Sequence, residues 1–174
     1  MKIGGYEISG PNEEVLVLPR IGQDVVIRAR AVVSMDEFEA LVPEPKAPGI
    51  LTKDGMIPQK DDVTYLQKVE NYNTQRFAYM CIKSLIPSVI EWGKVVMDNP
   101  KTWKNWEIEL REAGFADTEI NRIIRCIMQA NALDEGKLKE ARELFLRGEA
   151  EAVEKSSGHQ TEPETMPSGE PASD

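Results

Sequence analysis

The chain has 174 residues, 21 Lys+Arg against 30 Asp+Glu for a net charge of -9, one His and two Cys. The length fits one domain, or one domain and a tail. With a hydrophobic fraction of 41%, a charged fraction of 29% and no basic run longer than two residues, the composition leaves part of the chain unpacked and excludes nucleic acid as a partner, since phosphate contacts need clustered Lys and Arg.

The first stretch, 1–42, reads as a β-rich unit. Val15–Leu18 is a short apolar run ended by Pro19, Ile21-Gly22-Gln23-Asp24 reads as a turn, and Val25–Val33 is rich in β-branched residues. Two such runs around a short Gly-containing loop predict a hairpin. Val25, Ile27, Ala29 and Ala31 share one face of the second run and Val26, Arg28 and Arg30 the other, so one side of the sheet faces water. Ser34 and Glu37 fit a capping box opening a short helix through Phe38 and Leu41.

Residues 43–60 hold Pro43, Pro45, Pro48, Gly49, Gly55 and Pro58. Proline removes a backbone donor and disfavours helix in the residue before it. The expectation is an extended connector with a turn at Lys53-Asp54-Gly55.

A helical domain is expected over 61–153. Asp61 or Asp62 can cap a helix running to about Ser84. On its wheel Tyr65, Leu66, Val69, Tyr72, Phe77, Tyr79 and Met80 fall on one side, and Gln67, Lys68, Asn71, Thr74 and Gln75 on the other. Pro87 interrupts that helix, with another turn read at Val89, Ile90 and Trp92. Asn99-Pro100 supplies a cap and a first-turn proline for a helix carrying Trp103, Trp106 and Leu110, stopped by Gly114 with Phe115 packing back. Asp117 is expected to cap the next helix, whose apolar positions are Ile120, Ile123, Ile124, Ile127 and Met128. Asp134 would cap a last one with Leu138, Ala141, Phe145 and Leu146, ended by Gly148. These short, capped helices predict a bundle. From 154 to 174 the chain holds five acids, one base and a single large apolar residue, Met166. It cannot offset its ordering entropy by burial, and a disordered tail is expected. The fold class is therefore α+β, a small N-terminal β-hairpin unit followed by a mainly α-helical bundle.

Reactive constellations are scarce. No phosphate loop, dinucleotide fingerprint or nucleophile elbow occurs. The single histidine, His159, sits in the polar tail, which argues against a catalytic triad or a His-metal site. Cys81 and Cys126, far apart in helical patterns, read as buried thiols of a reducing compartment. Asp61-Asp62 reads as a helix cap and Glu107, Glu109 and Glu112 as a solvated face. No metal and no organic cofactor are expected, and no enzymatic activity. No stretch approaches the ~18 apolar residues of a membrane span, and the N-terminus lacks an apolar signal core. A soluble intracellular protein without membrane contact is expected.

The aromatic stripe of the first long helix is the most informative feature. Tyr65, Tyr72 and Tyr79 recur every seven residues, with Asn73 and Arg76 inside the same stripe. Polar groups there need partners if buried. Two readings stay open. The face packs on the other helices, with Arg76 paired to an acid. Alternatively, Tyr65, Leu66, Val69, Tyr72, Arg76, Phe77 and Met80 form a protein-binding or self-association surface, for which Tyr and Arg are suited.

The order of parts carries a family resemblance. A β-rich start, a Pro/Gly-rich connector and a Tyr-rich helix ending in Arg76-Phe77-Ala78-Tyr79 precede Pro100-Lys101-Thr102-Trp103 and Ala113-Gly114-Phe115. Asn131-Ala132-Leu133-Asp134 and Ala141-Arg142-Glu143-Leu144-Phe145-Leu146-Arg147-Gly148 follow. Over roughly residues 14–150 this resembles the tail assembly chaperones of long-tailed, siphovirus-like bacteriophages. The resemblance implies a non-enzymatic chaperone in the host cytoplasm. Such a protein binds and solubilises the tape-measure protein and assists polymerisation of the tail-tube protein around it. Two other readings are a structural component of the phage tail or virion and an acidic protein-binding inhibitor that mimics DNA.

Overall fold

The computed structural model describes residues 1–133, apart from residue 54 and the side chain of residue 52, together with 135, 136, 138–140, 142–144 and 147. A short hairpin pairs β1 (Lys2–Ile3) with β2 (Tyr6–Glu7). The hairpin expected around Ile21–Asp24 follows, with β3 (Glu13–Leu18) antiparallel to β4 (Val25–Arg30) and Leu18 opposite Val25. Its two faces divide as the alternation requires. Ile27 and Ala29 are buried with Leu18, while Val26, Arg28 and Arg30 are exposed. Glu13 ion-pairs with both arginines across the exposed face.

Helix α1 (Asp36–Leu41) starts one residue later than a Ser34 cap would place it. The capping box expected of Ser34 and Glu37 does not form. The Ser34 hydroxyl accepts from the Asp36 amide at 3.0 Å in a local turn, and Glu37 is drawn away by side chains from a distant helix.

The connector is more ordered than its prolines suggest. β5 (Gly49–Thr52) and β6 (Gly55–Pro58) form a third two-stranded ladder with Gly49 opposite Pro58. Pro58 ends its strand, where a missing N–H interrupts no further pairing. The turn falls at the expected place, although Asp54 lies outside the described residues.

Helix α2 (Val63–Ser84) matches the sequence reading closely. Asp62 is its N-cap and accepts from the Tyr65 amide at 2.7 Å. Pro87 then sits in a single 3-10 turn, Ile86–Ser88, ended by Val89 at φ 53°. The helical turn expected over Val89, Ile90 and Trp92 is absent because Val89 has left the right-handed region. The Asn99 cap holds, its side chain accepting from the Lys101 amide. What it opens is a 3-10 segment, Pro100–Asn105, that continues into α3 (Trp106–Glu112). Gly114 at φ +91° closes α3, with Gly114 N–H donating to Arg111 and Phe115 N–H to Leu110. That is the paired hydrogen-bond pattern of a Schellman stop.

Helix α4 (Asp117–Ala130) has Ala116, not Asp117, as its N-cap. Asp117 is the first helical residue and pairs with Arg111, while the Glu119 carboxylate accepts from the Ala116 amide at 2.9 Å. Ile120, Ile123 and Ile127 are buried as their spacing requires.

One core unites these parts. Leu18, Ile27 and Ala29 of the hairpin and Phe38 of α1 pack with residues of α2 and with Trp103, Trp106, Leu110 and the α4 isoleucines. Phe38, Tyr79 and Trp103 form its aromatic centre, with ring centroids 5.0 to 5.9 Å apart. The Trp103 indole donates to the carbonyls of Val96 and Met97, so its one polar atom is satisfied inside the core. Trp92 lies half-buried at the edge of the same core. The architecture is thus α+β, with short antiparallel hairpins at the N-terminal end followed by helices.

Met1–Asp134 make one compact unit and Glu135–Asp174 a second. The hairpin and the helices up to α4 therefore share a unit, although the sequence sets them apart along the chain. In the second unit Lys139 and Glu143 pair one helical turn apart. The rest of the last helix expected there (Asp134, Ala141, Phe145, Leu146 and Gly148) and the tail over 154–174 lie outside the described residues.

Candidate protein-binding face

Helix α2 carries its fully buried side chains in its C-terminal third only. From Val63 to Phe77 no side chain is fully buried, whereas Ala78, Tyr79, Cys81, Ile82 and Ser84 are. A 22-residue helix spans about 33 Å at 1.5 Å per residue, so most of its length offers its faces to other uses.

The seven side chains singled out from the sequence separate accordingly. Tyr72 and Met80 are partly buried against the core, and the Tyr72 ring lies 5.3 Å from that of Phe38. Tyr65 and Val69 are half-buried. Leu66 is 51% exposed and Phe77 37% exposed. Arg76 is exposed and makes no ion pair with any described residue, so the acid partner expected of a buried arginine is not needed. Val63, 69% exposed, extends the Leu66–Phe77 line by one turn. The result is an amphipathic ridge, Val63, Leu66 and Phe77 outermost, with Tyr65, Val69 and Tyr72 joining it to the body.

The inner end of this ridge is held by a polar cluster that the sequence did not reveal. The Tyr79 hydroxyl donates to Glu37 at 2.8 Å and the Lys83 ammonium donates to the same carboxylate oxygen at 2.6 Å. Lys83 and Tyr79 together hold the Glu37 carboxyl below its ordinary range. Burial, reinforced by Glu37, pushes the Tyr79 phenol up to about 12. The group fixes α1 against α2 and keeps the Tyr79 hydroxyl satisfied while its ring fills the core.

Two further clusters are structural. Arg20 forms a two-pronged ion pair with Glu119 and lies over the Phe115 ring, 5.3 Å from its centroid. Arg20 and the Ala116 amide hold Glu119 down to about 2. Asn131 accepts from the Val32 amide at 2.9 Å and donates to Ser84 Oγ at 2.9 Å and the Ile127 carbonyl at 2.8 Å. The acidic residues of α3 remain at least partly exposed and also make surface contacts. Glu109 accepts from the amides of Gly93 and Lys94, Glu112 pairs with Lys94 and Glu107 with Arg111.

Cys81 and Cys126 are both buried. Burial, with Glu107 nearby, pushes the Cys81 thiol well above its ordinary value, which suits packing and not nucleophilic attack. Among the described residues no group of three His, Cys, Asp or Glu side chains is placed to hold a metal ion. His159 lies outside the described residues. No described helix is long and apolar enough to cross a membrane.

Comparison with protein-family models, with curated proteins and with solved structures finds no match to this chain.

Proposed function

We propose that this protein is a tail assembly chaperone of a long-tailed bacteriophage. On this reading it binds and solubilises the tape-measure protein in the host cytoplasm and assists polymerisation of the tail-tube protein around it, without catalysing a covalent step. The resemblance in the order of parts supports this reading, and the exposed apolar ridge of α2 is the observation that carries it. A tape-measure protein is long and largely helical and bears apolar stripes before assembly. A ridge of Val63, Leu66 and Phe77 beside half-buried tyrosines is suited to such a stripe, as a helix laid along a helix. Each contact is small, and repetition along one long client supplies avidity. The net charge of -9 keeps loaded complexes apart. The same ridge is available for self-association between copies.

Co-expression with the long helical tail protein tests the reading. Wild-type chain should render that client soluble and co-purify with it. The variant carrying Leu66→Gln and Phe77→Gln keeps helix-forming residues at exposed positions, so it should stay folded by circular dichroism and lose the client. Retention of the client by this folded variant overturns the ridge as the binding face. A client that never becomes soluble with wild-type chain overturns the chaperone reading.

A further inference from the structure

The face of α2 that carries Asn71, Thr74 and Gln75 has a different chemistry from the ridge. Asn71, Thr74 and Gln75 line a groove of about 330 Å³ against the segment Pro100–Asn105, whose Lys101 and Lys104 form its other wall. Ala78 forms part of the lining, a small side chain that lets a ligand approach the helix closely. No carboxylate lines this groove. Neither lysine is ion-paired with any described residue. In a chain with nine more acids than bases, two unpaired lysines facing uncharged amides make a local concentration of positive potential.

We propose that this groove binds an acidic peptide segment of a partner protein. The Lys101 and Lys104 ammonium groups would each take a carboxylate. The Asn71 and Gln75 carboxamides, which both donate and accept, would meet the peptide's own polar groups. The Thr74 hydroxyl already donates to the Glu70 carbonyl at 3.0 Å and is left as an acceptor. The space is at the small end for a ligand site and holds one or two acidic side chains. Two cations are too few to track a nucleic-acid backbone. The groove shares no residue with the ridge, so each can be tested by its own substitutions.

The test is an amide NMR titration of the full chain with a short oligo-glutamate peptide, with oligo-glutamine and with inorganic phosphate. Oligo-glutamate should shift the side-chain amides of Asn71 and Gln75 and the backbone amides of Lys101 and Lys104 saturably, and raising the salt should weaken it markedly. Oligo-glutamine should shift nothing. The Lys101→Glu, Lys104→Glu double variant, folded by its unchanged spectrum elsewhere, should bind oligo-glutamate about tenfold or more weakly. Three results overturn the proposal: shifts scattered over the surface, binding unchanged in the folded double variant, or phosphate binding as tightly as the peptide. The last would make this a simple anion site.

Discussion

Replacing Asn131 by alanine removes three hydrogen bonds at once. The side chain joins three parts of the chain: the Val32 amide after β4, Ser84 at the end of α2, and Ile127 in α4. The Ile127 carbonyl keeps the Asn131 backbone amide as a donor at 3.1 Å, so its loss is small. The Val32 amide lies in a half-buried residue that water can reach, and losing that bond costs about 1 kcal/mol. Ser84 is 0% exposed. Its hydroxyl loses a buried donor, which costs roughly 1–3 kcal/mol. The sum is about 2–4 kcal/mol, or a fall in Tm of roughly 10 °C for a unit of this size. Urea unfolding followed by circular dichroism measures it. A double-mutant cycle with Ser84→Ala separates the parts. Removing the hydroxyl in the Asn131→Ala background removes the orphaned group, so the double variant should be less destabilised than the sum by about 1 kcal/mol or more. An Asn131→Ala effect below about 1 kcal/mol, or strict additivity with Ser84→Ala, refutes the three-way junction.

Val89 is β-branched, 82% exposed and at φ 53°, a left-handed conformation that such a side chain resists. Val89→Asn should therefore stabilise the protein by about 1 kcal/mol, read as a higher urea midpoint; a lower midpoint contradicts the strain argument. Glu119 is held down to about 2 by Arg20 and the Ala116 amide, against roughly 4.3 for a free glutamate. A depressed carboxyl contributes stability that is complete above its unfolded value and is lost as pH falls through the folded one. The stability gap between wild type and Glu119→Gln should be constant above about pH 5 and close between about 4.5 and 2. A gap that persists to pH 2 in thermal scans would show that the charge of Glu119 is irrelevant.

The division between what could be read along the chain and what could not follows the range of the interactions. Alternation in Val25–Ala31 and the 3.6-residue spacing of Ile120, Ile123 and Ile127 report which face is buried, because each pattern repeats within a few residues. Asp62, Asn99 and Gly114 satisfy or release backbone groups of their own turn, so their roles as caps and stop were legible. Ser34 and Asp117 had the right local chemistry and did not become caps. Glu37, the partner Ser34 needed, binds Tyr79 and Lys83, and Asp117 pairs with Arg111. The connector was under-read because its ladder depends on pairing Ile50 with Ile57 and Leu51 with Met56, which its prolines conceal. For the candidate face, the wheel put Tyr65, Leu66, Val69, Tyr72, Phe77, Tyr79 and Met80 on one side of α2. It could not say that Tyr72 and Met80 touch the core while Leu66, Arg76 and Phe77 stay outside.

The one-dimensional order of residues by itself determined the α+β class, the presence of the hairpin and its turn, the span of the long helix and the lack of familiar catalytic motifs. All of these rest on period, propensity and residue type. Folding alone decided that the hairpin shares a core with the helices, that Glu37, Asn131 and Arg20 are joints between distant segments, and that Lys101 and Lys104 face the amides of α2. Those outcomes depend on pairs separated by tens of residues. Such a pair leaves no periodic trace in the chain, since its energy exists only once burial has brought both members together.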